Sequence, residues 1–416
     1  MSITRRLLIL SALFLCCLPA CGTNSPLPAE TDLAAPSADD TPTATVARPV
    51  VPDGPLVGPL VGFFLEDTYQ DVYLSIYDAG TGGLRILNSG VPIYLGEAQW
   101  FDDGCRLFVQ GQLTDLHGMP VWSMSSEAAA QVESSAISRL SPGRSRLAYI
   151  VSSGIATGQG AVAADVEVIS FDEPYSAVRL TERGGGDARA FAWSEDEAWV
   201  FYTDRDENGI LQIYRAAPDG MATEQLTHHI DSPGQINGLS PSPDGRYLAY
   251  SVRNLMESVQ PYIYRPADQG WVGVIELATG EVAEVRPEKL LSAVPESGVV
   301  WDAAGENLVI IGDSLPLGEE DPAAGRQVHW VTAAGDVVRS VYSADGPGGH
   351  VGWIVPLGGI DRLLVNVQDE LYILQNGEFS PLEAGKSPPV GAAIGRRVIG
   401  VLAAPIGFPG EEMCGP

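Results

Sequence analysis

Two short stretches of this 416-residue chain have residue types and spacings that could do chemistry at a metal. Asp204, Asp206 and Asn208 alternate along Asp204-Arg-Asp-Glu-Asn-Gly209. Alternate oxygens of this kind can converge on one hard cation while the glycine makes the sharp turn of a calcium loop. The bidentate acid that would close such a loop at its twelfth position is replaced by Arg215. The same residues also suit a tight hairpin turn, and that is the reading preferred for them. His228 and His229 carry imidazoles that could ligate a transition metal. Adjacent side chains on an extended strand face opposite ways, so one site could use only one of them. No metal or other cofactor is expected.

A nucleophile is the next chemistry to weigh. Val309-Ile-Ile-Gly-Asp-Ser-Leu-Pro-Leu-Gly318 delivers Ser314 at the end of an apolar run. This block resembles the nucleophile segment of GDSL esterases, in which a distant histidine activates the serine and an aspartate lies three residues before that histidine. Here Asp345 and His350 are five apart and the block lies late in the chain. Neither feature follows the esterase pattern, so no catalytic residue is assigned and no enzyme is expected. Trp100, Trp193 and Trp301 could form a carbohydrate platform, but they recur at equivalent places in a repeat and read as packing residues.

The remaining reactive groups are thiols, and their fate depends on the N-terminus. Arg5 and Arg6 precede the apolar run Leu7–Leu18. That run is too short to span a bilayer, which takes about 20 residues, and has the length of a signal-peptide core. Leu18-Pro19-Ala20-Cys21 resembles the bacterial lipobox, with an unusual proline in the middle. The resemblance implies cleavage before Cys21 and diacylglycerol on its sulfur, an anchor whose several acyl chains hold stably. Residues 22–59 are rich in Pro, Ala, Thr, Ser and Asp, cannot bury enough apolar surface to fold, and read as a disordered tether. Cys16 and Cys17 leave with the signal, so Cys105 and Cys414 remain outside the cytoplasm. Two thiols in an oxidising compartment are a candidate disulfide; two separate thiols are the alternative.

Charge narrows the partners. The chain carries a net −29, and loss of Arg5 and Arg6 takes it to −31. So acidic a surface repels phosphate backbones and anionic lipid headgroups, which excludes nucleic acid as a partner.

The elements that must position these residues repeat. Trp100, Leu140, Trp193, Pro241 and Trp301 lie 40, 53, 48 and 60 residues apart. Each begins a polar turn and is followed seven positions later by Leu107, Leu147, Val200, Leu248 or Leu308. Weaker copies lie at 353–365 and 392–401, and a strand near Leu60–Leu65 starts the series. A period of 40–50 residues with several strands in each copy is the pattern of propeller blades. No segment has a helical period over a dozen residues; Pro287–Val294 is the one place where a short helix could form. Ser240–Ser251 (SPSPDGRYLAYS) and the stretch around Trp193 and Asp204 resemble the TolB-type, WD-repeat-like propeller, whose blades carry W-S-P-D-G and D-R-D-G turns. The resemblance is good over residues 188–255 and holds elsewhere only at the anchors.

The expected organisation is a lipoprotein signal at 1–20, the lipidated cysteine and tether at 21–59, and an all-β propeller of four-stranded antiparallel blades at 60–416. Seven blades are expected, with six or eight possible, closed by strands from both chain ends. The expected role is a monomeric, membrane-anchored extracytoplasmic module that binds or scaffolds an envelope protein. The alternatives are a small-ligand sensor or solute-binding propeller, or a lactonase- or glycosidase-like enzyme with its site in the central channel.

Overall fold

The computed structural model describes residues 54–414 except for segments 68–71, 88–97, 102–103, 110–111, 124–137, 144, 157–161, 172–176, 182–189, 231–234, 254–255, 261–262, 267–270, 286–291, 294–298, 314–325, 343–346, 348–350, 368–369, 383–395 and 404–409. Its strands form seven antiparallel blades. Blade 2 consists of Ala98–Trp100, Arg106–Val109, Gln112–Asp115 and Pro120–Ser123, and blade 3 of Ser138–Leu140, Arg146–Ala156, Val162–Ser170 and Ala177–Arg179. Blade 4 follows with Phe191–Trp193, Val200–Arg205, Leu211–Ala216 and Thr223–Gln225. Blade 5 is built from Gln235–Pro241, Tyr247–Arg253, Trp271–Glu276 and Val282–Val285. A two-stranded ribbon, Met256–Gln260 with Ile263–Pro266, sits between its second and third strands. Blade 6 comprises Val299–Trp301, Asn307–Asp313, Arg326–Thr332 and Val337–Tyr342, and blade 7 Val351–Pro356, Arg362–Val367, Glu370–Gln375 and Glu378–Pro381.

Blade 1 closes the ring. Its first strand is Arg396–Ala403 from the C-terminal end of the chain, and the other three are Leu60–Asp67, Val72–Asp78 and Gly83–Ile86. Val61 pairs with Ala403 and Asp67 with Arg396, so both ends of the chain meet where the other blades have their first turn. The first strands of successive blades neighbour one another, including blade 4 with 5, 5 with 6, 7 with 1, and 1 with 2. They therefore line the axis of the ring.

One turn accounts for the anchor repeat. The backbone N–H groups of Phe101, Ser141, Ser194, Ser242, Asp302 and Leu357 donate to the carbonyls of Arg106, Arg146, Trp199, Tyr247, Asn307 and Arg362. Closing so tight a loop requires a left-handed residue, which glycine supplies most cheaply. Gly104, Gly245 and Gly305 fill that slot at φ 68°, 71° and 69°, and Glu197 takes it in blade 4 at 56°. The Ser-x-Asp of blades 4 and 5 has its own use. Ser194 Oγ and Ser242 Oγ each donate to the aspartate two residues on, Asp196 or Asp244, at 2.6 Å.

Among the described residues the core is divided into seven apolar clusters, one for each pair of neighbouring blades around the ring. The last of them joins Val61, Phe63 and Tyr77 of blade 1 to Trp353, Val355 and Leu364 of blade 7. Trp100, Trp193 and Trp301 are buried in these interfaces. The indoles of Trp193 and Trp301 donate to the carbonyls of Arg139 and Ser240 on the preceding blades, each at 3.0 Å. They are packing residues, as the repeat implied.

Two sequence expectations change. Ser292–Ala293, inside the stretch that could have been helical, is a short strand paired with Gly312–Asp313, because the outer end of a long blade-6 strand offers it free hydrogen-bonding groups. Residues 54–59, read as tether, include Leu56, which is 1% exposed and packs among Leu60, Leu74 and Leu116.

Candidate functional site

The fold brings the two sequence stretches with metal-like spacing to one place, the end of blade 4 where it meets blade 5. Asp204–Gly209 makes the turn between the second and third strands of blade 4. Asp206 Oδ1 accepts from the N–H groups of Asn208 and Ile210, both at 2.9 Å. Its Oδ2 accepts from Gln212 Nε2 at 3.2 Å. The carboxyl is held below its ordinary value, chiefly by the Ile210 N–H. Asp204 Oδ1 accepts from the Arg205 N–H at 2.7 Å. Asn208 contributes its backbone to the turn. Among the described residues no group of three or more His, Cys, Asp or Glu is assembled that could hold a metal.

Gln212 is fully buried and is the centre of the arrangement. Its Nε2 also donates to the His229 carbonyl at 2.9 Å, and its Oε1 accepts from Thr227 Oγ1 and the His229 N–H at 2.9 and 3.0 Å. A buried amide with every hydrogen-bonding position used fixes its neighbours in place. Here it locks the connection into blade 5 so that the His229 ring meets Trp271 and Tyr250 edge-on, with centroids 6.0 and 6.5 Å away. His228 turns outward, its Nδ1 3.2 Å from Gln225 Nε2. The pair is split between inside and outside, although both residues lie in the connection beyond the strand Thr223–Gln225 and not on a strand.

Two polar atoms in this aromatic group, His229 Nε2 and Tyr250 Oη, are buried without a hydrogen-bond partner. Burial pushes the His229 imidazole down, against the opposing charge of Glu284, which leaves the ring neutral at pH 7. Burial, reinforced by Glu284, pushes the Tyr250 phenol up. A neutral imidazole and a protonated phenol can each hydrogen-bond a water or a small neutral group; neither is poised as a charged acid or base. Tyr250 lies across its strand partner Gly273, where a Cβ would come within 2.3 Å of the phenol ring. Gly273→Ala should cost about 2 kcal/mol by overpacking. Tyr250→Leu in the same background should recover part of it, as read by chemical denaturation; an additive double mutant would show that the two residues do not collide.

The thiols form a second assembly, a seam where the chain ends meet. Cys105, in the first turn of blade 2, is disulfide-bonded to Cys414, 309 residues away in sequence. The adjoining 3-10 turn, Glu411–Met413, is held by several groups. The Glu411 N–H donates to the Leu56 carbonyl at 2.9 Å, and the Leu56 N–H returns a bond to Glu411 Oε2 at 2.7 Å. The Arg85 guanidinium pairs with the same carboxylate, and His117 Nε2 lies 2.9 Å from it. Burial favours the neutral Glu411 acid, but Arg85, the Leu56 N–H and His117 together hold its pKa below the ordinary value.

Cys21, Ser314, Asp345 and His350 lie outside the described residues. Gln212, Thr227, Tyr250 and Trp271 were not singled out from the sequence. One signal could have found the first two, the Leu-Thr pair that recurs after the fourth strands as Leu180-Thr181 and Leu226-Thr227. Thr181 Oγ1 donates to Asp165 Oδ1 at 2.7 Å in blade 3 as Thr227 does to Gln212 in blade 4.

No protein-family model matches the chain, and no curated protein matches it. Solved propellers are similar in structure. A protein described as a putative TolB from Agrobacterium tumefaciens is 14% identical with a TM-score of 0.40, covering 68% of this chain and 91% of its own. TolB from Acinetobacter baumannii is 11% identical with a TM-score of 0.40, over 76% of this chain and 60% of that one. Dipeptidyl peptidase 4 of Porphyromonas gingivalis is 12% identical with a TM-score of 0.47, over 69% of this chain and 46% of that one.

Proposed function

We propose that the chain is a lipid-anchored scaffold of the bacterial cell envelope, a protein-binding propeller and not an enzyme. The observation that supports this reading is the polarity of the ring. Leu56, Glu411 and the paired ends Val61 and Ala403 all lie on the face formed by the first and third turns of the blades. The chain enters the ring on that face at Gly54 and Leu56, downstream of Cys21 in sequence. The opposite face carries the long blade-3 hairpin, the blade-5 ribbon and the His229 connection. Propeller faces gather loops from many blades onto one surface, which suits recognition of another protein.

Two measurements test it. Cys21→Ser should abolish incorporation of a labelled fatty acid and move the protein from the membrane fraction to the soluble one; unchanged labelling would refute the anchor. A photo-crosslinker at Ile230, 88% exposed on that opposite face, should capture a discrete envelope protein. The same probe at Met221, 85% exposed on the tether face, should not. Equal capture from both positions would remove the reason for assigning a binding face.

A further inference from the structure

Tyr250 stands in one row with residues of the two outer strands of blade 5. It pairs with Gly273, and Gly273 pairs with Glu284. Residues directly opposite one another across a sheet share a face, and here that face packs against blade 4. Glycine at the middle position lets the phenol extend outward over the sheet. A Cβ there would come within 2.6 Å of Tyr250 Oη. The hydroxyl is thereby carried toward the strand that holds Glu284, a residue exposed at the surface.

Blade 4 brings a second polar atom to the same place. Gln212 bonds both the N–H and the carbonyl of His229, and so fixes the half-buried imidazole against Tyr250 and Trp271. The three rings stand edge-on to one another. Their interplanar angles are 63°, 72° and 69°, and their centroids are 6.5, 6.0 and 5.5 Å apart. His229 Nε2 and Tyr250 Oη are both without a partner, and Tyr250 is wholly buried. A buried polar group left unmet costs stability. Two of them in one ring contact call for a group that satisfies both.

The chemistry of that group follows from what faces it. A neutral imidazole nitrogen and a phenol oxygen both offer lone pairs. The faces of Trp271 and Tyr250 are electron-rich and attract cations. Glu284 adds a negative charge at the border, in a chain whose net charge is −29. A positively charged group with several N–H donors meets all of these at once, and an anion meets none.

We propose that the junction of blades 4 and 5 is a binding site for a primary alkylammonium group, hydrogen-bonded by His229 and Tyr250, walled by Trp271 and balanced by Glu284. The site goes beyond the scaffold role and does not depend on it. A free amine and a lysine side chain carry the same group, and the test separates them.

The test is calorimetric titration of the full chain in detergent with n-butylammonium, Nα-acetyl-lysine methylamide and tetramethylammonium, each as the chloride at constant ionic strength. n-Butylammonium should bind at one equivalent per chain. Tetramethylammonium, which has the charge without an N–H, should bind at least tenfold more weakly. A lysine derivative that binds as tightly as n-butylammonium assigns the site to lysine side chains; one that binds more weakly assigns it to free amines. Tyr250→Phe and Glu284→Gln should each weaken n-butylammonium about tenfold, the loss expected for one hydrogen bond or ion pair to a charged group. Absence of n-butylammonium binding, equal binding of tetramethylammonium, or equal binding by wild type and Tyr250→Phe would overturn the proposal. Melting of unliganded Tyr250→Phe gives a second readout. The variant keeps the ring and loses only the unmet hydroxyl, so it should melt at or above the wild-type temperature. A fall of several degrees would mean that the hydroxyl already has a structural partner, and would also overturn it. Failure on either count leaves the fatty-acid labelling and the crosslinks from Ile230 unaffected.

Discussion

Replacing Cys105 and Cys414 together by serine should lower the stability of the ring by about 5 kcal/mol, the largest single effect expected in this protein. The disulfide spans 309 residues of sequence. The chain-entropy relation makes the stabilisation grow with the logarithm of the loop, giving a value at the upper end of those measured. The native state keeps other ties across the same seam, since Glu411 still bonds Leu56 and Arg85. The double variant should therefore stay folded at 25 °C and lose its margin against denaturant. Equilibrium unfolding in guanidinium chloride, with and without reductant, measures this. Reductant should shift the wild-type midpoint to that of the variant and leave the variant unmoved. Equal midpoints under all four conditions would show that the crosslink adds nothing to stability.

The second large effect is a loss of stability in acid from one residue. His329 is 1% exposed on the third strand of blade 6, its Nδ1 2.7 Å from Ser340 Oγ and its Nε2 without a partner. Burial pushes its pKa down to about 4. The unfolded chain takes up this proton near pH 6.5 and the folded one only near 4, so between those values the unfolded state binds more protons. Stability from this group is complete above pH 6.5 and falls as the pH drops towards 4, by about 3 kcal/mol in all. His329→Asn, which can keep a bond to Ser340, should remove that slope. Denaturation midpoints at pH 7, 5.5 and 4.5 should converge with those of wild type at the top of the range and exceed them relative to pH 7 at the bottom. Parallel pH profiles for the two proteins would assign acid sensitivity to other groups.

The fold could be read from the sequence where backbone geometry restricts residue choice. The anchor turn needs a left-handed residue and a polar capping group, so Gly104, Gly245, Gly305 and the Ser-x-Asp pairs at 194 and 242 mark blade after blade. The hairpin at Asp204–Gly209 was legible for the same reason, and the strands on either side of it, Val200–Arg205 and Leu211–Ala216, follow from it. The site was less legible because its contacts link different levels of the repeat. Nothing in the local sequence of Gln212 says that it will bridge a turn six residues before it and a connection seventeen residues after it. Only alignment of the two Leu-Thr pairs reveals the position. Leu56 sits in a Pro- and Gly-rich stretch that looks unstructured, and is drawn in by a glutamate more than three hundred residues later in the chain.

The closing blade also has a consequence in time. A chain made from its N-terminus lays down Leu60–Asp67 more than three hundred residues before the strand that covers its edge, Arg396–Ala403. At about 5–20 residues per second of synthesis, that edge waits on the order of tens of seconds with its backbone groups unpaired. An open strand edge is a template for other strands. Six interfaces can assemble in order during this interval, but the seventh cannot, so native topology is reached only when the final strand docks. A truncation that removes Arg396–Ala403 should therefore do more than shorten the chain: it leaves the ring open at Leu60–Asp67 and prone to pair with its neighbours.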